Sequence, residues 1–156
     1  MGPERLLADE EAAWARLRRI VAAIPPERFD ELTATEDGWS AKDELAHLAA
    51  WLERCAVELE RIAAGEAPGE APGGIGRFNR DRYDRARAMT LSEVEEDLAR
   101  ARDRARRALA RLPEVDARAW TWFEESGALH YATHAERLLA FVDQPAPPEG
   151  RGLPVG

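Results

Sequence analysis

Cysteine is almost missing from this chain: Cys55 is alone, so no internal disulfide can form. That fits a reducing compartment. Long apolar runs are missing too. None approaches the roughly 20 residues that cross a bilayer, and the opening Met1-Gly2-Pro3-Glu4-Arg5 lacks the apolar core of an export signal. No membrane partner is expected, and the expected location is the cytoplasm. Lysine is reduced to Lys42, and arginine carries nearly all the positive charge. With 22 basic against 30 acidic residues the net charge is −8. Neutralising nucleic-acid phosphates needs a cationic surface, so the charge argues against general nucleic-acid binding.

What is present favours helices. Hydrophobic residues make up 45% and charged residues 33% of 156 positions, with Ala, Leu, Arg and Glu prominent. These are good helix formers, in a chain long enough for one domain with a proper core. A first helix is expected from about Glu4 to Ile24, with Leu7, Trp14, Leu17, Val21 and Ile24 at helical spacing and Pro25-Pro26 ending it. The connector that follows carries Phe29 and Leu32 in a short turn. Ser40 and Asp43 cap a second helix, whose stripe is Leu45, Leu48, Leu52, Ala56, Leu59 and Ala63. The Gly- and Pro-rich stretch from Gly65 to Gly76 reads as a mobile loop. Arg77 to Arg87 reads as a short helix or extended turn.

Thr90 and Glu93 form another capping box, opening a third helix with Val94, Leu98, Ala101, Ala105, Leu109 and Leu112 on one face. Its opposite face holds acidic and arginine pairs, which suits solvent. A second long connection, Pro113 to Gly127, carries Trp120, Trp122 and Phe123, either as a hydrophobic plug or as an aromatic lip over a site. The last helix is expected from about Ala128 to Val142. The expected architecture is all-α: a four-helix bundle with long connections after helices 2 and 3, as a single domain over residues 1–143. The Pro- and Gly-rich stretch 144–156 reads as a poorly ordered tail.

The histidines are the chemical signal. His130 and His134 are four apart on the last helix, so both imidazoles reach one face, a turn apart. That pair is a common half-site for a divalent transition metal. The one remaining histidine, His47, lies off the apolar stripe of the second helix, on a strip with Asp43 and Trp51. If the two helices lie side by side, every histidine of the chain can serve one three-His site. Asp43, one turn before His47, either orients that imidazole or simply caps the helix. Trp51 lines a cleft or belongs to the core. Asn79 and Tyr83 sit in the arginine-rich segment, which either receives ligand carboxylates or is a solvated face. Cys55 lies at the edge of the core stripe and reads as buried and inert.

The segment Gly38-Trp39-Ser40-Ala41-Lys42-Asp43-Glu44-Leu45-Ala46-His47, together with His130-x-x-x-His134, resembles the signature of the DinB-like (DinB/YfiT) superfamily of metal-binding four-helix bundles. Trp39, Ser40, Asp43 and His47 fall on its entry motif. The resemblance runs from the first helix to about Val142, and the chain is also similar to the mycothiol-dependent maleylpyruvate isomerase and ClbS/DfsB branches. It implies a divalent metal, zinc or nickel first, held by His47, His130 and His134, with a low-molecular-weight thiol as a further cofactor. It implies a thiol S-transferase or hydrolase acting on a small electrophile. The alternative is a non-catalytic small-molecule-binding or stress-protective bundle. Homodimers are common in that superfamily, and the sequence leaves that assembly open. The superfamily's historical name suggests a DNA-associated role, which the acidic charge argues against.

Overall fold

The computed structural model describes residues 2–33, 37–71 and 73–144; the tail expected over 144–156 lies, from residue 145 on, outside the described residues. The described chain is all-helical. Its α-helices are α1 Glu4–Ala22, α2 Ala41–Ala63, α3 Gly74–Arg87, α4 Leu91–Ala110, α5 Ala117–Ser126 and α6 Ala128–Val142, with a 3-10 turn at Pro26–Arg28. The four long helices expected from the sequence are α1, α2, α4 and α6. The two connections read as irregular or ambiguous hold helices of their own. Asp116 starts α5 by accepting a hydrogen bond from the Ala119 backbone at 2.8 Å.

Both expected capping boxes form. Ser40 Oγ accepts from the Asp43 backbone at 3.1 Å, and Thr90 Oγ1 accepts from the Glu93 backbone at 3.2 Å. Just before the first box, Gly38 turns with φ +68°, a conformation that favours glycine. That turn lets the Thr33 backbone donate to Trp39 O at 2.8 Å, and so fixes where Trp39 enters α2.

Helix α2 packs along α4 and α1 along α6, while α5 lodges against α2 and α6. The core between them is built from fully buried leucines such as Leu17, Leu45, Leu48, Leu59, Leu109 and Leu138. Cys55 lies buried in this core as expected, and burial pushes its thiol up to about 12, which disfavours the thiolate. Phe123 is the plug among the α5 aromatics, at 2% exposure. Trp122 instead sits under the Arg54 guanidinium, 5.6 Å from ring to charge.

Two ionic clusters tie distant segments together. Glu10 of α1, at 1% exposure, accepts from Arg102 Nε at 2.7 Å and from Tyr131 Oη at 3.0 Å, and also pairs with Arg106. It thereby joins α1, α4 and α6. Buried Glu58 accepts from the Gly69 backbone at 3.2 Å and from Arg118 at 3.2 Å. Arg54 donates to Gly69 O at 3.2 Å. The loop after α2, read from composition as mobile, is therefore anchored near Gly69 by charged side chains from α2 and α5. No helix among the described residues is long and apolar enough to cross a membrane.

Candidate metal centre

The packing of α2 beside α6 brings all three histidines together. One ring nitrogen from each of His47, His130 and His134 lies within 4.8 Å of the others. The ring centroids are 4.9 Å apart for His47 and His130, 5.1 Å for His47 and His134, and 4.6 Å for His130 and His134. His47 Nε2 and His130 Nε2 approach to 3.1 Å. Two nitrogens each bound at about 2.0–2.1 Å to one tetrahedral ion would lie about 3.3 Å apart, so this spacing suits a shared ligand sphere.

The protonation state suits it too. Burial is the largest cause that lowers His47 to about 3, with His130, His134 and Arg137 adding unfavourable charge. Burial likewise brings His130 to about 3, helped by His134 and Arg137. Both imidazoles are neutral across the physiological range and keep lone pairs for a cation. His130 Nδ1, on the ring whose Nε2 faces His47, is buried with no hydrogen-bond partner among the described residues.

His134 is held from behind. Its Nδ1 contacts a carboxylate oxygen of Glu44, a side chain with 0% exposure on α2. The Glu44 contact reserves Nδ1 and leaves Nε2 of His134 for a ligand, the usual arrangement of a metal-binding histidine backed by a carboxylate. Arg137 lies 3.7 Å from the other Glu44 oxygen and 3.0 Å from Asp37. So α6 carries its own counter-charge for the buried acid.

For Asp43 the structure shows the capping half of the two readings. Its Oδ2 accepts from the Ser40 backbone at 2.8 Å and from Ser40 Oγ at 2.9 Å. That oxygen is committed to the helix start. The carboxylate that orients a histidine is its neighbour Glu44, on the side of α2 that meets α6. Sequence reasoning passed over Glu44. Its one local signal is an acid beside Leu45 and three residues before His47, where the helix turns toward the core.

The remaining candidates form a wall rather than ligands. Trp39 lies 4.6 Å from His47 and stacks at 6.4 Å on His134, ring to ring. Trp51 meets His47 at 6.5 Å and donates from Nε1 to Asn79 Oδ1 at 3.1 Å. Asn79 therefore links α3 to the site through Trp51. Tyr83, with Trp39, Asn79 and Asp43, lines a crevice of about 10 Å³ beside His47, room for one water. Among the described residues the indole rings against the triad are Trp39 and Trp51, and of the two readings of the α5 aromatics the buried Phe123 fits the plug.

A family model described as the mycothiol maleylpyruvate isomerase N-terminal domain matches residues 11–141. The chain belongs to that family. The match covers most of the chain and all three histidines, and the family is a branch of the DinB-like superfamily that the motifs indicate. No curated protein and no solved structure matches the chain.

Proposed function

We propose that this member of the mycothiol maleylpyruvate isomerase N-terminal domain family is a metal-dependent enzyme, a thiol S-transferase or, with water in place of the thiol, a hydrolase. Its substrate is a small electrophile. The four long helices α1, α2, α4 and α6 act as the bundle that frames the site, in one domain over residues 1–143. The observation that carries this reading is the cluster of three imidazole nitrogens within 4.8 Å, two of them on rings that burial keeps neutral.

His47, His130 and His134 would hold the divalent ion, zinc or nickel, through ring nitrogens. When bound, such an ion supplies a nucleophile near neutral pH by lowering the pKa of a thiol or water. Glu44 fixes the ring and tautomer of His134. Trp39 and Trp51 cover the imidazoles and limit water. Cys55 takes no part, since it is buried away in the core, so the thiol comes from a small molecule. Mycothiol, which the family is named for, is the first candidate.

A second reading rests on one feature: Asp43 and Glu44, the carboxylates nearest His47 in the chain, are both committed elsewhere. With those two carboxylates engaged, the site suits a binding or protective protein. The discriminating assay follows conjugation of mycothiol to monochlorobimane by fluorescence, with metal-loaded protein, chelated protein and the His134→Ala variant. The enzyme reading expects acceleration by the loaded protein alone. Equal rates after chelation, or no acceleration by the loaded protein, would turn the account to the binding role.

A further inference from the structure

A cavity of about 290 Å³ lies outside the triad, on the neighbouring face of α2. Its floor is α2, and its walls are α3 and α4, both of which pack on α2. The floor consists of Ala46, Ala49 and Ala50, spaced i, i+3 and i+4, with Ala86 and Ala101 at the sides. Methyl groups leave the space open where longer side chains would fill it. The volume sits near the lower end of the roughly 300–1,000 Å³ of small-molecule sites, which suits a slender ligand.

The rim is charged, and its charges are unequal. Four arginines stand on the walls, Arg82 and Arg85 from α3 and Arg100 and Arg104 from α4, against the carboxylates of Glu53 and Asp97. Arg82 pairs with Glu53 at 3.0 Å, Arg100 with Asp97, and Arg104 with Glu60 at 2.6 Å. The side chain of Arg85, an exposed residue, has no ion pair or hydrogen bond among the described residues. Arg85 lines the same cavity as the alanines, so in a chain of net charge −8 its guanidinium is a cation free to meet an anion that enters the groove. Guanidinium binds carboxylate and phosphate through paired hydrogen bonds.

We propose that this groove is a second binding site, for a small molecule with a slender apolar body and one oxyanion, its body on the alanine floor and its charge on Arg85. The groove shares Ala46 and Arg82 with the crevice beside His47. A ligand there lies next to the triad along α2, without needing an ion in it.

Alanine-methyl NMR of the full chain reads the floor directly. Octanoate, octyl phosphate and octanol are titrated into chelator-treated protein, so the result does not depend on whether the histidines hold metal. The proposal expects saturable shifts of the Ala46, Ala49, Ala50, Ala86 and Ala101 methyls with an anion, and the tighter of the two anions names the headgroup. Octanol, and either anion with the Arg85→Ala variant, should bind about tenfold more weakly, as loss of a charge-assisted contact implies. Floor methyls that do not move, octanol binding as tightly as the anions, or an Arg85→Ala variant that binds like wild type would each overturn it.

Discussion

Glu10 and His130 are both largely buried polar groups, one held against α6 at Tyr131 and the other on α6 facing α2, yet they are equipped in opposite ways. Glu10 is surrounded by donors: Arg102, Arg106 and Tyr131 all reach its carboxylate. Nothing is left over for a ligand. His130 meets another imidazole nitrogen at 3.1 Å and has a buried Nδ1 with no hydrogen-bond partner among the described residues. There the protein supplies lone pairs and withholds the charge that would satisfy them. The neighbours Tyr131 and His130 thus point into two different chemistries, one closed and one open. Burial alone marks neither as functional; the balance of donors and acceptors does.

The contrast can be broken from either side. The largest expected effect is on the closed cluster. Glu10→Ala leaves Arg102, Arg106 and Tyr131 without their acceptor and should cost about 3 kcal/mol, as removing one partner of a buried ion pair does. Urea unfolding measures it, and metal content should be unchanged in the folded protein. If the variant lost metal while still folded, the two regions would not be separable.

The next effect sharpens the open cluster. Glu44→Gln keeps the size of the side chain but weakens its hold on His134, and should lower metal affinity about 10–100-fold, as loss of a carboxylate behind a ligating histidine does. Competition with a chromophoric chelator reads this, and unchanged affinity would remove Glu44 from the site. The smallest effect is at Asp43, the adjacent acid. Asp43→Ala gives up the reciprocal bonds to Ser40 and should cost about 1 kcal/mol of stability, read in a thermal melt beside wild type. Its metal affinity should stay at the wild-type value; a fall as large as that of Glu44→Gln would restore the orienting role to Asp43.

Neighbouring acids with different duties also show what a sequence can and cannot display. The long helices were legible because each has an apolar stripe and most have a local end signal, such as Ser40 with Asp43 or Pro25 after α1. The triad was legible because its residues are rare and two of them sit at helical spacing. Helix α5 was hidden because Trp120, Trp122 and Phe123 do not make a simple stripe and its cap, Asp116, stands between Pro113 and the charges of Glu114 and Arg118. Helix α3 was obscured by its arginines. Glu44 was hidden for a deeper reason: its partner His134 is 90 residues away, and only tertiary packing makes the pair. The same holds for Glu10, whose partners lie on two other helices. Local pattern finds elements and motifs; pairing across helices decides which buried charge is structural and which serves a site.

The most direct test of the central claim is elemental analysis of the purified, untagged full chain beside the His47→Ala variant, with circular dichroism confirming that both are folded. The account predicts about one equivalent of a divalent transition metal per chain in wild type, as a three-histidine site holds one ion, and loss of that metal in the variant. A wild-type chain that takes up no metal on reconstitution, or a His47→Ala variant that keeps it all, would contradict it.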